Sequence, residues 1–278
     1  MKRVLVIGAT GLLGRPVATQ LRRDGYAVRL LARNLETVRA EFGEGFEPIA
    51  GDVTDISSLE EAMKGCDGVH ISVGGQVDQV SAENVAQLAA AGDVQRITYL
   101  SGATVAEENR WFPMVAQKLA AETALVASGT DYTILCPTWP MEQLPRFVID
   151  GKATIIGEQA TPLHWFAASD LARMVSAAHS TKHAAGKRLF VHGPEALTMK
   201  QALERYCASA RPEIESVDVT PIEVARSAAE SSNNPVLAFM TEMMSYFDKA
   251  GELGDPTEAN ELLGAPTTTL DEWLADRG

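Results

Sequence analysis

The sequence has little cysteine, few aromatics, no long apolar run and no surplus of basic charge. Its three cysteines, Cys66, Cys136 and Cys207, are odd in number and widely spaced. They form neither a disulfide framework nor a zinc motif, which points to a reducing, cytoplasmic setting. No apolar stretch approaches the length that spans a bilayer, so no membrane segment is expected. The opening MKRVLVIG breaks at Gly8, too soon for a signal peptide and about right for a first strand. Lys and Arg total 24 against 37 Asp and Glu, a formal net charge of −13, which argues against a nucleic-acid partner. Acidity of this kind favours solubility and names no substrate. What remains is a globular composition, 46% hydrophobic and 22% charged, in a chain of 278 residues. That length suits one large α/β domain or two small ones.

The first half alternates short β-branched runs with helical patterns. RVLVIG (3–8), AVRLLAR (27–33), FEPIAGD (46–52), GVHISVG (68–74), RITYLSG (96–102) and DYTILCP (131–137) read as strands. Helices are expected over 15–25, 34–43 with Asn34 as cap and Gly43 beyond the end, 57–66 with a Ser58–Glu61 capping box, and roughly 81–91. A further helix holds Lys118. Alternation of this kind predicts a doubly wound parallel sheet with helices on both faces. After Pro137 the pattern loosens into proline- and tryptophan-bearing loops. A helix over 169–180, a strand RLFVHGP (188–194) returning to the main sheet, and helices over 220–232 and 234–251 follow. The expected division is a nucleotide-binding core over 1–137 and a mainly substrate-binding helical cap over 138–278, without a linker.

GATGLLG (8–14) places glycines at Gly8, Gly11 and Gly14 between a first strand and a first helix. This is a variant of the dinucleotide fingerprint: the glycines permit a tight turn and close approach of backbone to pyrophosphate, and the helix start offers free amides. An NAD-selective site wants a carboxylate at the end of the second strand. Here LLARN puts Arg33 there instead, nineteen residues after Gly14. A guanidinium matches a 2′-phosphate, so NADP(H) is expected over NAD(H); the competing reading is a solvated residue beside a helix cap. Asp52 in GDVTD falls where adenine would lie, whereas Asp55 is as well explained as a helix cap.

The segments GATGLLG, LLARN, GDVTD, YLSG, KLAAE, LCPTWPMEQLP and FVHGPEALT occur in the order seen in NmrA-like proteins. The chain resembles that atypical short-chain dehydrogenase group, which includes quinone and isoflavone reductases and the redox-sensing regulator NmrA. The resemblance implies a Rossmann-type α/β fold with a small C-terminal cap, and NADP(H) lying across the strand ends. Carried over by position, it implies that Gly8, Thr10, Gly11, Leu12, Leu13 and Gly14 form the pyrophosphate loop and that Arg33 meets the 2′-phosphate. Asp52 and Val53 would edge the adenine, and Ser72, Val73 and Gly74 would lie on the ribose side. Lys118 would reach the nicotinamide ribose, Pro137 and Thr138 would pass the nicotinamide, and Trp139 and Met141 would open the substrate pocket.

One residue departs from the classical relatives: four positions before Lys118, where they keep a tyrosine, stands Met114. Methionine has no proton to give, so ordinary ketone reduction, which yields a strongly basic alkoxide, is disfavoured. Ser101 could orient a carbonyl but is a poor acid, and Tyr99, on the same strand face, is better explained by packing. A quinone or other conjugated acceptor gives a delocalised anion, which a fixed positive charge on Lys118 could stabilise. The competing reading for Lys118 is an exposed ion pair with Glu122 one turn on. His164, beside Trp165, is a candidate donor at the pocket or a packed loop residue, and His179 and His183 are expected to be solvated. No His, Asp or Glu cluster has metal spacing, so no metal is expected. The function expected is NADPH-dependent hydride transfer to a small hydrophobic conjugated acceptor such as a quinone. The alternative is a non-catalytic NADP(H)-binding sensor acting through a protein partner. Oligomeric state is left open.

Overall fold

The computed structural model describes residues 2–277. In chain order the elements are β1 (Arg3–Ile7), α1 (Gly14–Arg23), β2 (Ala27–Ala32), α2 (Leu35–Phe42), β3 (Glu47–Ala50), α3 (Ile56–Met63), β4 (Gly68–Ile71), α4 (Asp78–Ala91), β5 (Arg96–Leu100), α5 (Pro113–Ala127) and β6 (Tyr132–Pro137). Then come β7 (Val148–Ile149), β8 (Lys152–Ile156), β9 (Leu163–Trp165), α6 (Ala168–Ser180), β10 (Lys187–Val191), β11 (Glu195–Leu197) and α7 (Met199–Ala210). The chain ends with β12 (Val217–Thr220), α8 (Ile222–Ser232), α9 (Pro235–Ala250), α10 (Thr257–Leu263) and α11 (Leu270–Ala275). Two compact units result: Met1–Pro137, Ala168–Val191 and Asp255–Ala265 form the first, and Thr138–Ala167, His192–Gly254 and Pro266–Gly278 the second. Among the described residues no helix is long and apolar enough to cross a membrane.

The first unit is built on a seven-stranded sheet in the order β10-β6-β5-β4-β1-β2-β3, with every pairing parallel. Every residue of β4 and β5 is buried, as in a sheet covered on both faces, and the polar His70 and Thr98 among them are hydrogen-bonded to each other. The strand order reverses between β1 and β4, the topological switch point where a crevice opens at the strand carboxyl ends. Register sets its floor, because Ile7 pairs with both Leu31 and Ile71. Residues 8, 32–33 and 72 therefore emerge side by side. β10 pairs with β6, as expected for RLFVHGP.

Boundaries follow the local chemistry with one correction. Asn34 caps α2 by accepting from the amides of Glu36 and Thr37, and Gly43 ends it at φ 65°. The helix expected over 57–66 begins earlier: Asp55 caps α3 through the amides of Ser57 and Ser58, not a Ser58–Glu61 box. A carboxylate acceptor two residues before Ser57 outcompetes the hydroxyl, and the Ser58 hydroxyl instead donates to the Asp52 and Asp55 carbonyls.

The second unit is not purely helical. It carries the three-stranded sheet β12-β8-β7 and the two-stranded β11-β9. These strands have two to five residues, too short for alternation to show against prolines and tryptophans. Trp139, Met141 and Trp165 lie in its apolar core, with the Trp139 ring 4.8 Å from that of Phe247.

A second correction concerns His179. It is buried on α6 beside Thr98, whose hydroxyl lies 3.1 Å from His179 Nε2 and 2.8 Å from His70 Nδ1. His183 is exposed, as expected. The polar neighbours Ser176 and Ser180 hid the buried face of α6 from a reading by composition. Gly68 leaves room for the ring, since a Cβ there would stand 2.8 Å from His179 Nδ1. Burial holds both imidazoles down to about 3; the His179 charge adds to this at His70, and those of Arg96 and Lys2 add at His179. Unfolded imidazoles take up protons near pH 6.5, so between there and pH 3 the unfolded chain binds more protons and stability is lost as the pH is lowered. Each ring contributes about 1.4 kcal/mol per pH unit in that window. Urea midpoints are expected to drop steeply from pH 7 to 5, and less steeply in His179→Gln. A profile unchanged by the substitution contradicts this account.

Candidate functional site

At the carboxyl end of the first unit's sheet, a cleft of about 310 Å³ is lined by Gly8, Thr10, Arg33, Asp52, Val53 and Val73, with Asn34, Thr37 and Val77 beside them. Six residues expected at the cofactor thus line one cavity. Gly8 turns the chain at φ 85°, where a Cβ would stand 2.2 Å from the Ser72 carbonyl oxygen. Gly14 faces the same turn, and a Cβ there would stand 2.1 Å from the Gly8 oxygen. Gly11 donates its amide to that oxygen at 3.0 Å. Leu12 and Leu13 complete the turn and are half-buried, and Gly74 is exposed beyond Ser72.

The loop suits an anion. Helix α1 begins with no side-chain cap and no acidic residue in its first turn, although its last turn holds Arg22 and Arg23. No carboxylate of the helix's own first turn therefore competes for an anion at its positive dipole end. Arg33 is exposed just past β2. Across the cleft, Asp52 accepts from the Thr54 amide at 2.9 Å and its hydroxyl at 2.8 Å. Those bonds hold its carboxyl below the usual range, with a smaller contribution from the Arg33 charge. A dinucleotide with an added phosphate at Arg33 fits these donors.

Lys118, on α5, is held by β5 and the start of α4 and not by its helical neighbour. Its Nζ donates to Asp78 Oδ2 at 2.8 Å and to the Leu100 carbonyl at 2.9 Å, with the Tyr99 hydroxyl at 3.4 Å. Three partners match the three protons of an ammonium. Asp78, 1% exposed, also accepts from Tyr99 at 2.8 Å. Burial, then the Asp78 charge, pushes the Tyr99 phenol far above its ordinary pKa, so it holds its proton. The surface pair with Glu122 is not formed: Glu122 accepts from Ser101 and from Arg188 Nε at 2.9 Å, and is itself buried. Met114 stands half-buried one turn before Lys118. Pro137 ends β6 with its carbonyl accepting from Ala103 at 2.9 Å. Burial raises the Cys136 thiol to about 12, so it is no nucleophile at neutral pH.

Asp78, Glu122 and Arg188 carry the polar chemistry around Lys118 and Ser101, and no motif announced them. In the second unit, Thr138 donates its hydroxyl to the His164 carbonyl, and Trp139 and Met141 are 9% and 0% exposed. His164 is half-exposed on β9, with its ring against Glu252.

Known proteins resemble the chain over its whole length. It is 29% identical to the (4-alkanoyl-5-oxo-2,5-dihydrofuran-3-yl)methyl phosphate reductase of Streptomyces griseus, over 98% of this chain and 97% of that one. The NADPH-dependent quinone oxidoreductase QOR2 of Escherichia coli, crystallised with NADPH, superposes with a TM-score of 0.79 at 23% identity, covering 99% of both chains. Triphenylmethane reductase of Citrobacter sp., crystallised with NADP(H), gives the same TM-score at 20% identity, again over 99% of both. At these identities the two structures establish the fold. The family model described as NAD(P)H-binding matches residues 8–183, which hold the glycine turn, the Arg33 cleft and the Lys118 helix, and the chain belongs to that family.

Proposed function

We propose that this chain is an NADPH-dependent reductase whose acceptor is a conjugated, electron-poor molecule and whose site supplies no side-chain acid. The observation that carries this reading is the closed network at Lys118. Tyr99 spends its proton on Asp78, and the tyrosine expected of a carbonyl reductase is replaced by Met114. When bound, the nicotinamide supplies the hydride. The turn at Gly8, Gly11 and Gly14 with the α1 amides binds the pyrophosphate, and Arg33 binds the 2′-phosphate. Lys118, held in place by its 2.8 Å ion pair with Asp78, offers an ammonium to developing negative charge. An acceptor whose reduced anion is delocalised then takes its proton later from water. A quinone satisfies this. So does a ring double bond that carries two carbonyls on one of its carbons, the arrangement in the substrate named for the Streptomyces griseus relative.

The test is loss of NADPH absorbance with three acceptors: a quinone, a 2-acylbutenolide and a simple aliphatic ketone. Turnover is expected with the first two and not with the third. Reduction of the ketone at a comparable rate overturns the reading. Tight NADP⁺ binding with no turnover on any acceptor favours the sensor instead. Cofactor choice has its own check. Arg33→Ala is expected to weaken NADPH binding roughly 10- to 100-fold, the worth of a charged hydrogen bond, and to leave NADH binding unchanged. Equal effects on both cofactors remove Arg33 from the phosphate site.

A further inference from the structure

Among the described residues, His164, His192 and Glu252 place one potential ligand atom each within 4.8 Å of one another, all inside the second unit. We propose that they bind a divalent transition-metal ion of the zinc class. Three segments far apart in sequence build the site. His164 lies on β9, His192 follows β10, and Glu252 follows the Gly251 turn that ends α9 at φ 63°. Gly193 makes the approach feasible: a Cβ there would stand 1.6 Å from the Trp165 carbonyl oxygen, so only glycine lets the backbone after His192 lie against β9. The two imidazoles consequently stack at 5.3 Å, 21° apart.

The donor set carries the argument. His164 Nδ1 lies 2.5 Å from Glu252 Oε1, and His192 Nδ1 lies 3.2 Å from the same oxygen. His192 Nε2 lies 3.2 Å from the Leu253 carbonyl, which can only accept, so that nitrogen carries the ring's proton. In neutral His192 this leaves a lone pair on Nδ1 facing a carboxylate lone pair. Either a second proton or a cation must lie between them. A cation satisfies both imidazoles and the carboxylate at once. The surroundings are those of a metal site: a ligating histidine whose other nitrogen donates to a backbone carbonyl, and a ligating carboxylate whose second oxygen accepts the His164 amide at 2.7 Å. Two histidines and one glutamate suit zinc or a neighbouring first-row ion. The His192 and Glu252 side chains are 9% and 11% exposed and that of His164 is 41%, so the site opens to solvent on the His164 side, where water completes the coordination.

The test uses the full chain, stripped with chelator and dialysed against zinc at low concentration, with metal content read by mass spectrometry. About one equivalent of zinc is expected, and cobalt in its place should give visible d–d absorption. His164→Asn, His192→Asn and Glu252→Gln should each abolish stoichiometric binding, whereas His183→Asn, at an exposed histidine, should retain it. Circular dichroism confirms folding; if a buried substitution fails to fold, the half-exposed His164→Asn decides alone. Absence of bound zinc in the wild type means that a proton alone bridges the cluster and overturns the proposal. Zinc retained equally by the three variants overturns it as well. Metal content is measured without NADPH, so this result stands apart from the reductase reading.

Discussion

Gly14→Ala is expected to abolish measurable NADPH binding and to lower the melting temperature by several degrees. The alanine Cβ would stand 2.1 Å from the Gly8 carbonyl oxygen and 3.2 Å from the Ala9 Cα. Both are backbone atoms of the turn, so no side chain can swing aside. The Gly8 oxygen cannot retreat freely either, because it accepts the Gly11 amide that closes the loop. Relief must come from displacing the start of α1 away from the strand ends, which moves the amides proposed to hold the pyrophosphate. Overpacking of this kind costs about 1–3 kcal/mol, or on the order of 5 °C for a chain of this size. Affinity falls further, since a misplaced donor array loses several bonds together; at least 100-fold is expected. Gly102→Ala is the control, because its Cβ would meet only the Val105 side chain at an ordinary 3.5 Å. Wild-type affinity in Gly14→Ala, measured by fluorescence titration, ends the assignment of the turn.

Lys118→Met should be the more damaging to the fold. It leaves the Asp78 carboxyl at 1% exposure with Tyr99 still donating to it but without its ammonium partner, and takes the Lys118 donor from the Leu100 carbonyl. Breaking one side of a buried pair costs about 3–5 kcal/mol, most of it from the uncompensated charge. The double variant Lys118→Met/Asp78→Asn removes that charge while an amide oxygen still accepts from Tyr99, so it should recover roughly half of the loss. Turnover separates the structural part from the chemical part. If the Lys118 charge stabilises the reduced acceptor, the double variant regains stability and remains about 100-fold slow, comparable to loss of an oxyanion donor. Recovery of turnover along with stability would make Lys118 a purely structural residue. Denaturant titration and steady-state rates on the same preparations distinguish the two.

Much of the first unit was legible because its signals are local. Buried parallel strands need near-continuous apolar runs: Val4–Ile7 is unbroken, and Val28–Leu31 and Ile97–Leu100 are interrupted only by Arg29 and Thr98. The glycine turn has a fixed spacing because Gly11 and Gly14 keep a Cβ off the Gly8 carbonyl oxygen within the turn, whereas the clash that Gly8 avoids is with Ser72 on the neighbouring strand end. Arg33 is read from its distance to Gly14, since strand and helix lengths between them are constrained. The short strands of the second unit escaped because two to five residues among prolines show no period.

The polar networks were another matter. Lys118 and Glu122 lie one helical turn apart, and the local rule pairs them. The fold sends Lys118 to Asp78, 40 residues earlier, and Glu122 to Arg188, 66 residues later. Both side chains lie where α5 packs on other elements, and buried charges must collect every available hydrogen bond from whatever the packing brings near. His164 and Glu252, 88 residues apart, meet for the same reason. Sequence by itself determined the strands of the main sheet, the glycine turn and the place of Arg33 just past β2, because covalent geometry and periodicity act over a few residues. Tertiary structure alone decided which charge faces which, because burial selects partners by position in space and leaves no trace in spacing along the chain.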